Sequence, residues 1–203
     1  MASFYPLESE LAQKGFASVC GVDEAGRGPL AGPVYAAAVI LKPDCELDGL
    51  NDSKKLSEKK REELFDKVIE AAVAYKIVAV DEKTIDEINI LNATMLAMKT
   101  AVEAVNADYA LIDGNKCPQL SIPSQFVIGG DAKIKSIAAA SILAKVSRDR
   151  YMLKLAEQYP MYQFEKHKGY GTRLHYEMLD KHGISDIHRM SFLKKYLEGK
   201  NNG

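Results

Sequence analysis

Four acidic positions carry the first chemical signal. Asp23 and Glu24 stand side by side after the apolar run Val19 to Val22, and Asp113 follows a second such run, Tyr109 to Ile112. Glycine comes within a few residues of both aspartates, and Asp131 lies just after Gly129-Gly130. In open α/β sheets ligands gather beyond the carboxyl ends of strands, so Asp23 and Asp113 converge if their strands are neighbours. Carboxylate oxygens suit Mg²⁺ and Mn²⁺. Two such ions, about 3.5–4 Å apart, activate a water and steady the leaving oxygen of a phosphodiester. Blander roles compete: a strand-end acid also serves as a turn residue, and Asp131 stands where a helix N-cap would. Adjacent residues on a regular strand face opposite ways. The strand is therefore expected to end or twist at Asp23-Glu24 if both serve one site.

The elements that must position these acids alternate. Val19 to Val22, Val34 to Leu41 (bounded by Pro33 and Pro43), 73–80, Tyr109 to Ile112 and Phe126 to Ile128 read as strands. Leu64, Phe65, Val68 and Ile69 recur at helical spacing after Ser57, a candidate N-cap. Thr84 and Glu87 have capping-box spacing and open a helical pattern to about Val105. Ile134 to Val146 is apolar on nearly every side, as in a helix buried within the fold, and helical pattern resumes past Pro160. The alternation predicts an α/β sheet sandwiched by helices.

With 203 residues, 47% hydrophobic and 27% charged, the chain has the makings of one globular domain. Three scattered cysteines fit a reducing compartment. The first residues lack a signal peptide's pattern and no run is long enough for a membrane helix, so a cytoplasmic protein is expected. Net charge is −1, but residues 145–203 hold 12 Lys/Arg against 7 Asp/Glu while the remainder holds 15 against 21. A basic C-terminal third beside an acidic remainder matches a phosphate grip next to a carboxylate metal site, and equally matches ordinary solvated helix faces.

Five segments, in order, resemble bacterial ribonuclease HII. They are Gly21-Val22-Asp23-Glu24-Ala25-Gly26-Arg27-Gly28-Pro29, Asn51-Asp52-Ser53-Lys54-Lys55-Leu56, Leu111-Ile112-Asp113-Gly114, the run from Ser136 to Asp149, and His167-Lys168-Gly169-Tyr170-Gly171-Thr172. The resemblance covers roughly residues 17–195. It implies a ribonuclease H-like fold, a five-stranded mixed sheet flanked by helices, with a core over about 17–160 and a helical C-terminal extension over about 161–203, all one catalytic domain. It implies hydrolysis of RNA in RNA–DNA hybrids and nicking 5′ of single ribonucleotides in duplex DNA. Two Mg²⁺ or Mn²⁺ ions would serve, leaving 3′-hydroxyl and 5′-phosphate ends, with the enzyme a monomer.

By the same resemblance the metal-binding, catalytic acids are Asp23, Glu24, Asp113 and Asp131, with Asp149 the alternative fourth. The backbone of Gly26, Arg27 and Gly28 contacts the ribose 2′-hydroxyl and its neighbouring phosphate; glycine's missing Cβ permits such an approach. Tyr170 packs on the deoxyribose after the ribonucleotide. Lys54, Lys55, Lys145, Arg148 and Lys168 are candidate phosphate contacts, each of which could also be an ordinary solvated side chain. The histidines have no metal-ligand pattern and receive no role. Ribonuclease HIII shares the fold and the hybrid substrate, but typically has lysine at the place of Arg27 and an added N-terminal domain, for which the 22 residues before Asp23 leave no room. A non-catalytic hybrid-binding protein would need the basic third without the three acids together.

Overall fold

Three consecutive alanines, Ala36 to Ala38, sit at the middle of the molecule and set how closely its layers approach. They belong to the second strand of a five-stranded sheet in a computed structural model that describes residues 4–50, 53 and 56–201. The strands are β1 (Val19–Ala25), β2 (Val34–Leu41), β3 (Ala72–Val80), β4 (Tyr109–Asp113) and β5 (Ser124–Val127). Their order is β3-β2-β1-β4-β5, with β1, β2 and β3 antiparallel and both β4 and β5 parallel to the neighbour on their inner side.

Seven helices surround the sheet among the described residues: α1 (Leu7–Gln13), α2 (Glu58–Ala71), α3 (Glu82–Ala104), α4 (Lys135–Gln158), α5 (Phe164–His167), α6 (Arg173–His182) and α7 (Met190–Asn201). The even-numbered residues of β1 and β2 (Cys20, Val22, Ala36, Ala38) pack with α3, while Ala25, Ala37 and Val39 pack with α2 and α4. Small side chains on the central strands let both helical layers close on the sheet. Gly21 takes this to its limit, because a Cβ there would overlap the backbone of Ser136 and Ile137 at the start of α4. A third apolar cluster joins Leu30, Met152 and Leu155 to Tyr162, Phe164, Leu179, Ile187 and Leu193 of the C-terminal segment.

The mixed five-stranded α/β sheet agrees with the reading of the sequence, and Ser57 caps α2 by accepting the Lys60 N–H at 3.3 Å. Boundaries differ instructively. The cap of α3 is Asp81, which accepts the Thr84 N–H at 2.8 Å, so Thr84 lies inside the helix rather than before it. Helical pattern also does not run unbroken: Asn89 has φ 64° and ψ 164°, and its side chain recaps the chain by accepting from the Asn92 N–H at 3.1 Å. β5 starts two residues earlier than its apolar core suggests, since Ser124 and Gln125 pair with Ala110 and Leu111. No helix among the described residues is long and apolar enough to cross a membrane.

Candidate active site

β1 does not stop at its acids. It continues to Ala25 with unbroken pairing to β2, Asp23 opposite Ala37 and Glu24 opposite Ala36. The strand break expected at Asp23-Glu24 therefore falls later, at Gly26, because antiparallel partners satisfy the backbone whatever the side chains are. What ends beside the acids is the pairing to β4, whose last matched residues are Val22 and Ile112. Asp23 and Asp113 occupy the next position on each of these parallel strands, side by side on the face that α4 covers. Glu24, the next residue along β1, still lies close enough for its charge to act on Asp23.

Asp23 is 5% exposed. Burial, then the charges of Glu24 and Asp113, push its pKa well above the ordinary carboxylate value, while the Ser141 hydroxyl and the Glu24 N–H pull the other way. That backbone N–H donates to Asp23 Oδ1 at 2.7 Å. Ser141, on α4, is itself 2.8 Å from the Ser53 hydroxyl. Asp113 Oδ1 accepts the N–H of Gly130 at 2.6 Å, which ties the turn carrying buried Asp131 to the end of β4. Asp131 is not the cap of α4: the residue before that helix is Ile134, which makes no side-chain cap.

Asp23, Glu24, Asp113 and Asp131, the expected ligands, offer only oxygen donors, the kind that hard divalent cations prefer. Mutual repulsion helps raise the pKa of Asp23, and a cation among the acids would relieve it. Among the described residues no three Asp, Glu, His or Cys side chains form a ready-made cage. Asp149 is engaged elsewhere, 2.7 Å from Lys145 Nζ and 3.9 Å from Arg61 Nη2. Arg61 also donates to the carbonyls of Ser53 and Leu56. Asp149 thus ties Arg61, and through it the segment before α2, to α4.

Beyond β1 the chain loops from Gly26 to Pro33. Gly26 has φ +94°, and a Cβ on it would overlap the Arg148 side chain. Glycine is required at 26 by what lies behind the loop. Gly28 is the residue whose missing side chain leaves open space, with the Tyr170 ring 3.8 Å from where a Cβ would be. Arg27 is exposed, and its Nη1 is 3.5 Å from Glu24 Oε1. Tyr170 is 42% exposed and the Leu30 N–H donates to the Gly169 carbonyl at 2.8 Å, so the 26–30 and 168–172 segments lie together.

Arg148 does not fit the phosphate contact expected of it. It is 0% exposed, and its guanidinium donates to the carbonyls of Pro33, Lys168 and Ala31 at 3.1–3.2 Å. Lys145 is part-buried and bound to Asp149; Lys168 is part-exposed and donates to the Glu165 carbonyl. Lys54 and Lys55 lie outside the described residues.

Arg189 and the histidines make buried contacts behind the loop that the sequence pattern does not reveal. Arg189 is also 0% exposed and donates to the carbonyls of Gly26, Arg27 and Gly32 at 2.6–3.1 Å. Burial, then the charge of Arg148, holds its pKa down at about 9, still high enough to keep it a cation at neutral pH. The histidines form a chain whose protons can be assigned. His188 Nδ1 accepts from the Ser185 N–H, so its Nε2 carries hydrogen and donates to His175 Nε2 at 3.1 Å. His175 Nδ1 therefore donates to the Tyr170 carbonyl at 3.0 Å. His167, stacked on His175 at 4.4 Å, accepts the Gly169 N–H. Burial lowers the pKa of both His175 and His188 to about 4. The one available signal is local: Arg148 follows closely on a run, 134–146, that is apolar on nearly every side. Nothing local marks Arg189.

The chain is similar to known proteins along most of its length. The family model described as Ribonuclease HII matches residues 20–195. A ribonuclease HII of Caldicellulosiruptor bescii is 54% identical over 197 residues, covering 96% of each chain. One from Idiomarina loihiensis is 58% identical over 176 residues, 86% of this chain and 94% of that one. The crystal structure of ribonuclease H2 from Pyrococcus horikoshii superposes with a TM-score of 0.75 at 27% identity, over 92% of this chain and 100% of the other.

Proposed function

This chain belongs to the ribonuclease HII family and is a ribonuclease H, a phosphodiester hydrolase, and from that premise we propose that it nicks duplex DNA 5′ of single embedded ribonucleotides as well as cutting RNA in hybrids. One observation carries the reading: Asp23, beside Asp113 where β1 and β4 stop pairing, stands three residues before Gly26 in a loop whose exposed Gly28 abuts the Tyr170 ring. The acids for cleavage and a loop fit to sense ribose thus lie at one end of the central strands.

Asp23, Glu24, Asp113 and Asp131 would hold two Mg²⁺ or Mn²⁺ ions. When bound, such ions supply an activated water and neutralise charge on the leaving 3′ oxygen. The chain's own residues do the rest. Backbone groups at 26–28 approach the 2′-hydroxyl, which is both donor and acceptor and so distinguishes ribose from deoxyribose. The Tyr170 ring packs on the sugar that follows. Arg27 and Lys168, both at the surface, contact phosphates and fix register. A monomer suffices, because every group named comes from one chain.

The test is direct. A duplex bearing one ribonucleotide, incubated with the protein and Mg²⁺ or Mn²⁺, should be nicked once, leaving a 5′-phosphate on the ribonucleotide strand fragment. An intact duplex, under conditions where a uniform RNA–DNA hybrid is cut, would remove the embedded-ribonucleotide activity and leave only the hybrid one.

A further inference from the structure

Arg148 and Arg189 present a puzzle that the cleavage reaction does not absorb. Both are fully buried, they repel one another, and among the described residues neither has a carboxylate within ion-pair distance. Charged side chains are almost never fully buried without a partner, because removing them from water is costly. The acid whose charge Arg189 feels most, Glu82, is buried and leaves its own Oε1 without a hydrogen bond. A hydrocarbon of similar size would fill this space at lower cost. The guanidinium groups are instead spent on backbone carbonyls, and which carbonyls is informative.

Arg189 holds the carbonyl oxygen of Gly26 at 2.7 Å and that of Arg27 at 3.1 Å. The described chain has no cis peptide bond. In a trans peptide the N–H points opposite to the C=O of the same plane. Drawing the Gly26 and Arg27 carbonyls inward therefore turns the N–H groups of Arg27 and Gly28 outward. Both residues are exposed, and among the described residues neither N–H has a protein acceptor. Successive N–H groups turned to one side form a concavity suited to an anion or a lone-pair oxygen.

Arg148 supports the same surface from beneath. It fills the space a Cβ at Gly26 would need, lies 5.7 Å from the centre of the Tyr170 ring, and donates to the Ala31 and Lys168 carbonyls at once. The Arg189 N–H completes the tie by donating to the Leu30 carbonyl at 2.8 Å. The two arginines thus lock the 26–33 loop to the 168–170 segment.

We infer that Arg189, backed by Arg148, is a positioning residue for ribose selection: it aims the Arg27 and Gly28 N–H groups at the 2′-hydroxyl and its adjacent phosphate. The inference rests on the reading of loop 26–28 given above. It also explains why the position takes arginine. A planar fork holds several carbonyls in fixed directions, whereas a lysine ammonium, a compact point charge on a flexible stem, cannot.

The experiment compares two duplexes that differ only by one ribonucleotide, measuring Kd for each by fluorescence anisotropy in EDTA. Wild type should prefer the ribonucleotide duplex. Arg189→Lys should reduce that preference about tenfold and raise KM for nicking more than it lowers kcat. A merely structural role would weaken binding to both duplexes equally, so an unchanged preference in a folded Arg189→Lys overturns the inference while leaving the functional reading intact. A wild-type preference of one would overturn both. Should the variant not fold, the native protein decides by amide hydrogen exchange. The Arg27 and Gly28 amides should be protected by the ribonucleotide duplex and not by the all-deoxy one, and equal protection by both overturns the inference.

Discussion

The cutting half and the selecting half of this site are built by different means. Asp23 and Asp113 are positioned by strand register: once β1 and β4 pair in parallel up to Val22 and Ile112, the next residue on each strand must stand beside its neighbour. The selecting loop has no such ladder. Its direction depends on Arg148 and Arg189, which reach it from 115 to 163 residues away, and on a histidine chain that fixes the Tyr170 carbonyl. Regular backbone pairing tolerates side-chain change, whereas a loop held by a few buried polar groups fails when one is lost. The two halves should therefore break separately.

Asp113→Asn should break the cutting half most severely. Nicking should fall by about a thousandfold or more while affinity for the duplex stays near wild type, because the change removes charge and keeps shape. Steady-state kinetics beside anisotropy checks this, and loss of the folded circular dichroism spectrum would make Asp113 structural instead.

Acid should unsettle the selecting half first. His175 and His188 have pKa values depressed to about 4, below the ordinary 6.5 of an unfolded histidine. The unfolded chain thus binds more protons between those values, and the native contribution is complete above about pH 6.5 and lost as pH falls toward 4. Each histidine should contribute a slope of about 1.4 kcal/mol per pH unit in that window. Urea titrations from pH 7 to pH 4.5 would show it. His188→Gln should flatten the slope, and a slope equal to wild type would dissociate the chain from stability.

Gly21→Ala tests what the halves share. Helix α4 carries both Ser141, against Asp23, and Arg148, behind the loop, and it rests on Gly21 with no room for a methyl group. Overpacking of this kind costs about 1–3 kcal/mol. The substitution should lower the denaturant midpoint and depress cutting and selectivity together, in contrast to the other variants.

Tyr170→Ala is the mildest. Losing a stacking ring should cost about tenfold on single embedded ribonucleotides and much less on uniform hybrid, where no junction needs to be sensed. Equal losses on the two substrates would remove that role from Tyr170.

Much of the cutting half is legible in the residue order. Short apolar runs ended by Asp23 and Asp113 mark the strands, and the alternation marks the sheet, because strand and helix periodicities are local properties. The element ends that differ are those where pairing or a competing cap overrides the local signal, as at Glu24 inside β1 and at Asp81 capping α3. Gly26 reads in isolation as a concession to the ligand, yet the arginine behind it demands glycine first. Arg148 reads as a surface cation, although the apolar run 134–146 just before it hints otherwise, and Arg189 carries no local signal.

The division has a physical basis. The residue order alone determined the strands, their closing acids and the α/β class, since each depends on spacing within a dozen residues. Only the tertiary structure decided that two arginines of a basic C-terminal third are interior struts rather than surface charge. Whether a cation meets phosphate or backbone depends on which distant carbonyls the fold brings to it, and no local pattern records that.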